Sequence, residues 1–157
     1  MNVSISSVLP QFDPPEARRK LGLIALATDL TTERDFPRIV PLDKAVVYGT
    51  RVAFENPTTP ENLRKMGPLI SAAADLLVPG EVLDAICYSC TAASVVIGDE
   101  EVAAAVHASR PGVPVVTPTG AALKAFAVLG VNRVSVVTPY LVETSMPMAD
   151  YFIRSGL

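Results

Sequence analysis

The chain has 157 residues, half of them hydrophobic and 18% charged, with a formal net charge of −3. That is enough length and apolar content for one ordinary domain with a real core, and it excludes intrinsic disorder. The slightly acidic balance offers no basic surface for nucleic acid. Met1 to Lys20 is polar, holds three prolines and lacks the apolar core of a secretory signal. No stretch without Pro or charge is long enough to span a bilayer. These features predict a soluble, cytoplasmic protein with a loose leader over residues 1–20.

The elements follow in chain order. Leu21 to Ala27 is a continuous apolar run of strand length, as a strand buried on both faces requires. Thr28 to Glu33 is a polar turn with N-cap chemistry, and Pro37 and Pro41 limit any helix after it. A second strand is predicted over Ala45–Tyr48, continuing through Arg51–Phe54. Thr59, Pro60 and Asn62 mark a helix start, and that helix should reach about Leu77 before Pro79-Gly80 stops it. The third strand is Ala85–Ser89. A turn after Ala92 and a helix over Asp99–Ser109 come next, then a strand at Val113–Val116 and a helix from Gly120 to Leu129, closed by Gly130. A fifth strand over Val134–Val137 and a helix over Glu143–Arg154, ended by Gly156, complete the chain.

Alternation of strand and helix predicts an α/β fold: a parallel sheet with helices on both faces. Val113 to Pro118 and Val134 to Pro139 both end a strand in Thr-Pro before a helix. Convergence of βα units on one turn explains this more simply than duplication does. Residues 21–131 are read as a first α/β domain, and 132–157 as the opening strand and helix of a second. Leu157 falls where another strand would begin, so the sequence reads as a piece of a longer protein.

The segment Asp84 to Ser94 carries the chemistry. An apolar strand runs into Cys90-Thr91, and small residues then open a helix. An open α/β sheet places its ligands at the C-terminal ends of its strands. A helix N-terminus there favours a thiolate and lowers the thiol pKa. Cys90 is therefore the candidate nucleophile or proton carrier, weighed evenly against an inert core thiol. A redox pair with Cys87 is the third reading of the Cys-x-x-Cys spacing. Cys87, inside the strand, is expected in the core. Zinc is not supported, because His107 is the sole histidine and no second Cys pair exists; His107 is expected to be solvated or capping.

Thr28, Asp29, Thr31 and Thr32 exceed what one helix cap needs, so some are expected to face a ligand. Thr117, Thr119 and Gly120 follow the fourth strand, and Thr138 and Tyr140 the fifth. Hydroxyls and amides gathered on one sheet edge suit a carboxylate. No dinucleotide or Walker glycine pattern is present, so a nucleotide cofactor is not supported.

Four segments resemble the aspartate/glutamate racemase superfamily: Leu21 to Glu33, Asn56 to Leu63, Cys87 to Gly98, and Val136 to Tyr140. The likeness is greatest to its maleate isomerase and arylmalonate decarboxylase branch, and there to the ectoine-utilisation members. The resemblance implies two similar α/β domains with the active site between them, one cysteine from each facing the substrate. It implies no metal and no organic cofactor. It makes Cys90 catalytic. Thr91 and Ala92 become anion-binding groups, Tyr140 a hydrogen-bond donor to a substrate carboxylate, and Thr28, Asp29 and Thr31 further substrate contacts. Asp29 falls where maleate isomerases carry a carboxylate-binding Asn; an Asp there repels a carboxylate unless protonated. The second cysteine has no counterpart before Leu157, so this piece alone is expected to be inactive.

The implied activity is isomerisation, racemisation or decarboxylation of a small carboxylic acid, in ectoine or amino-acid catabolism. A small carboxylate is the expected partner, nucleic acid and membrane are not, and a homo-oligomer is compatible with this reading. A non-catalytic, carboxylate-binding regulator on the same fold, and a thiol redox protein, are the competing readings.

Overall fold

The computed structural model describes residues 3–11 and 18–157. Strand β1 spans Arg19–Leu26, two residues ahead of the expected start. Ladder pairing with the next strand explains the extension, Arg19 with Ala45 and Lys20 with Val46. The Asp84 carboxylate also accepts from the Arg19 guanidinium at 2.6 Å and from the Lys20 backbone N–H at 2.7 Å. The expected leader is shortened accordingly, and its residues 1–2 and 12–17 lie outside the described residues.

Helix α1 (Thr32–Ile39) forms with Pro37 inside it, where the sequence predicted a limit. Strand β2 spans Ala45–Val52. The single helix expected from Pro60 to Leu77 is two, α2 (Pro60–Arg64) and α3 (Gly67–Asp75). Pro68 has no N–H to donate to the Arg64 carbonyl, so the helix restarts there. Thr59 caps α2 as expected, its hydroxyl accepting from the Asn62 N–H at 3.3 Å.

Strand β3 is Ala85–Tyr88, followed by α4 (Thr91–Ile97) and α5 (Asp99–His107). Gly98, at φ 108°, makes the bend between those helices, a conformation that L side chains rarely adopt. Strand β4 is only Val115–Val116, and α6 runs over Pro118–Leu129. Helix α7 covers Val142–Arg154. The predicted strand at Val134–Val137 is not formed: it has no ladder partner among the described residues, and Val137 is 93% exposed. A strand exists only through its pairing, and apolar alternation alone does not provide that.

The four strands are parallel in the order β2-β1-β3-β4. Alternation along each strand separates two faces. Ile24, Ile86 and Tyr88 join Leu63, Met66, Ile70 and Leu77 of the α2–α3 side in the main core. Leu21, Ala85, Cys87 and Val116 line an apolar groove on the other face, beside Phe36 of α1 and Ala121 of α6. The C-terminal ends of β1 and β3 therefore meet at one edge, where their loops start α1 and α4.

Candidate functional site

Cys90 sits just beyond β3 as the N-cap of α4, in extended backbone. Strand parity puts it on the same side as Ile86 and Tyr88, and it belongs to the main core at 7% exposure. Burial pushes its thiol pKa up. The N–H groups of Ala93 and Ala92 oppose that by favouring the anion, and the charge of Asp29 adds to the rise. The net direction corrects the sequence expectation: the helix N-terminus acts on the sulfur, but desolvation outweighs it. At neutral pH Cys90 is a thiol, suited to giving a proton rather than attacking as a resting thiolate.

Cys87 points to the opposite side of the sheet, into the groove beside Phe36 and Val116, and is half-buried rather than in the main core. Burial raises its pKa too. Both cysteines are free. Placement on opposite faces of the strand does not suit a disulfide.

Asp29 lies in the β1–α1 loop. Its Oδ1 accepts from the backbone N–H of Thr31 at 2.7 Å and of Thr32 at 2.9 Å, and from the Thr31 hydroxyl at 3.3 Å. Its Oδ2 accepts from the Thr32 hydroxyl at 2.6 Å. Burial works against its charge, but the bonds from Thr32 and Thr31 prevail and hold its pKa below the usual carboxylate range. Asp29 is therefore ionised and engaged in starting α1. Thr32 also meets the Ser89 hydroxyl at 3.2 Å, which ties this loop to the Cys90 turn. Thr28 is exposed, and its hydroxyl has no hydrogen-bond partner among the described residues.

Arg51, which the sequence did not single out, holds the same loop from outside. One guanidinium nitrogen donates to the carbonyls of Leu26, Ala27 and Asp29 at 3.1, 3.1 and 2.9 Å. The other meets Glu33 of α1 at 2.5 Å. With those carbonyls turned toward Arg51, the loop is set before any ligand arrives.

Tyr140, in the segment before α7, packs against the main core near Cys90. Burial raises its pKa, and ionisation of Cys90 would raise it further, so its hydroxyl stays protonated. That hydroxyl has no hydrogen-bond partner among the described residues. Tyr88 was also missed, although strand parity could have found it. It is fully buried, donates to the Met66 sulfur at 3.9 Å, and burial keeps its phenol protonated. Thr91 is half-buried at the first turn of α4 and Ala92 is buried. These groups surround one thiol with helix N–H groups, phenols and one carboxylate.

The later threonines do not gather at this edge as free hydroxyls. Thr117 and Thr119 both donate to Asp99 Oδ1, at 2.6 and 3.1 Å. Thr117 also accepts from the Gly120 N–H at 3.2 Å, and the Thr138 and Ser145 hydroxyls pair at 2.6 Å. A ring nitrogen of His107 bonds the Val113 carbonyl at 2.8 Å, tying the end of α5 to the loop before β4.

No family model matches the sequence, and no curated protein matches it. Solved structures do match. A Nocardia farcinica maleate cis-trans isomerase, a variant with a covalently bound succinylcysteine intermediate, is 22% identical at a TM-score of 0.77. The match covers 90% of this chain and 61% of that one. The maleate isomerase Iso of Pseudomonas putida S16 is 21% identical at a TM-score of 0.65, over 88% and 60% of the two chains. A variant of arylmalonate decarboxylase in its liganded form is 21% identical at 0.62, over 88% and 58%. This chain thus spans about 60% of the length of the structures it matches. Its parallel four-stranded fold is similar to the corresponding part of maleate isomerases and of arylmalonate decarboxylase.

Proposed function

We propose that this chain carries half of the active site of a cofactor-independent isomerase, racemase or decarboxylase for a small carboxylic acid. The observation that carries it is a thiol, Cys90, at the N-terminus of α4 near Tyr140, whose hydroxyl has no hydrogen-bond partner among the described residues. The likeness of fold to maleate isomerases and arylmalonate decarboxylase supports the same reading.

The chemistry follows from the thiol's state. Proton removal beside a carboxylate, addition to an activated double bond, or loss of CO2 leaves negative charge spread over the α-carbon and the carboxylate. Cys90 gives its proton to that carbon and becomes a thiolate. The N–H groups of Ala93 and Ala92 then stabilise the new anion. Thr91 and Tyr140 hold the substrate carboxylate, whose charge grows in the transition state. Thr28 and Thr31 follow β1 in the β1–α1 loop, which Thr32 ties to the Cys90 turn through Ser89, and complete the proposed substrate contacts. Ionised Asp29 does not bind a carboxylate, so its subsite takes a neutral or cationic part of the substrate, which argues against maleate itself.

On this reading residues 21–131 are one domain and 132–157 begin the next, with an opposing acid/base group facing Cys90 across the substrate. The sequence likeness of the Cys90 and Tyr140 segments to ectoine-utilisation members supports a place in ectoine or amino-acid breakdown. Two free thiols fit a reducing compartment such as the cytoplasm.

Proton NMR in D2O with maleate, phenylmalonate and glutamate, on a protein that joins this chain to the opposing acid/base half-site, tests the proposal. Isomerisation, decarboxylation or α-deuteration that disappears in Cys90→Ser supports it. The same turnover in both proteins removes Cys90 from the mechanism. Thermal stabilisation by these acids without any turnover favours the regulatory, carboxylate-binding reading instead.

A further inference from the structure

We infer that the hydroxyl-collared carboxylate of Asp99 and its partner Tyr151 are positioning residues for Tyr140, setting that phenol against Cys90 from the far end of α7. The inference rests on the carboxylate site proposed above.

Asp99 opens α5 directly after the Gly98 bend. Its Oδ1 takes the two threonine hydroxyls at the start of α6, and its Oδ2 takes the Tyr151 hydroxyl of α7 at 2.6 Å. One carboxylate therefore joins the beginnings of two helices to the last third of a third. Thr117 and Thr119 are 5% and 1% exposed, so water does not compete effectively for these bonds. Burial and the Asp99 bond push the Tyr151 phenol up to about 12, which keeps it a donor.

Nearer its start, α7 has a second anchor: the Thr144 hydroxyl donates to the Thr58 carbonyl at 2.8 Å. Thr144, Met148 and Tyr151 are spaced i, i+4, i+7 and so form one stripe facing the body of the protein. The two polar anchors lie about two turns, or about 10 Å, apart along the helix. Two anchors at that separation set both rotation and slide; one alone would leave a swing. Thr144 and Met148 are the buried residues of α7, Phe152 meets Phe126 of α6 edge-on with ring centroids 6.0 Å apart, and Val142, Met146 and Ile153 are exposed. The hydrogen bonds add a directional constraint that this apolar contact lacks. The helix packs on α4, whose first turn carries the Cys90 sulfur. Tyr140 lies one turn before Thr144, and the Ser145 hydroxyl donates to its carbonyl at 3.3 Å. A shift of α7 thus moves Tyr140 relative to Cys90.

The test uses two alkylating probes of similar size on the 157-residue chain: anionic iodoacetate and neutral iodoacetamide. Modification of Cys90 is followed by peptide mass spectrometry. A carboxylate site raises the iodoacetate-to-iodoacetamide rate ratio above that of free cysteine. Tyr140→Phe should lower the ratio about fivefold, as loss of one hydrogen bond would. Tyr151→Phe, which touches neither probe nor sulfur, should lower it by a similar factor, and the double variant should fall no further than either single one. Thr144→Val removes the other anchor and predicts the same loss, so a Tyr151→Phe protein that fails to fold leaves the inference testable. A wild-type ratio in Tyr151→Phe and Thr144→Val, or a double variant at the product of the single effects, overturns the inference. A wild-type protein no more selective than free cysteine overturns the carboxylate reading itself, and this inference with it.

Discussion

Replacing Asp29 by Asn removes a fixed charge that acts on Cys90. The amide oxygen keeps the two backbone N–H bonds at 2.7 and 2.9 Å, so the start of α1 survives. The charge is lost, and with it the 2.6 Å donation from the Thr32 hydroxyl to Oδ2. Hydrogen bonds to a charged acceptor contribute about 1.5–3 kcal/mol against about 0.5–1.5 for neutral pairs. Thr32 can turn its proton to Ser89, 3.2 Å away, which limits the damage. The expected cost is about 1 kcal/mol, or about 2–4 °C in Tm for a chain of this size. The sign of its pH dependence follows from the lowered Asp29 pKa. The wild-type contribution is present above the ordinary carboxylate value, about 3.9, and is lost as pH falls through the folded-state value. Urea midpoints of the two proteins should differ near neutrality and converge in strong acid. At the same time Cys90 loses a charge that raises its pKa. Iodoacetamide should then modify it severalfold faster at pH 8, by less than the tenfold of a full pKa unit. A difference in midpoint that persists unchanged into strong acid, or an alkylation rate equal to wild type, would refute the placement of this charge.

Cys90 alkylation in the wild-type protein should keep rising with pH beyond the ordinary thiol value of about 8.5, because burial favours the neutral form. The linked stability is complete below that value and falls as pH climbs toward the folded-state pKa, so a urea midpoint steady from pH 8 to 10.5 would contradict it. Gly22→Ala should destabilise by about 1–3 kcal/mol through overpacking. Its Cβ would lie 2.8 Å from Leu77 Cδ1 and 2.9 Å from Ile86 Cγ1, both in the core. Unfolding in urea with an unchanged midpoint would show that those side chains give way freely.

The sequence alone determined the alternation of elements, the parallel sheet, and the edge on which the candidate site lies. Those follow from local periodicity and turn chemistry: the apolar run of β1, the Thr59-Pro60 start of α2, and the Cys90-Thr91 junction between strand and helix. Parity along β3 was also legible, and it separates Cys87 from Cys90. Only tertiary structure decided the state of the thiol, because desolvation depends on everything packed around the sulfur and outweighs the nearby helix N-terminus. The same holds for the partners of each polar group. Asp99 meets Tyr151 from 52 residues away and Thr144 meets Thr58 across 86, while Arg51 reaches back to the carbonyls of the β1–α1 loop. The strand expected at Val134–Val137 failed for a related reason. Its side-chain pattern is local, but a ladder needs a neighbour that no local pattern supplies.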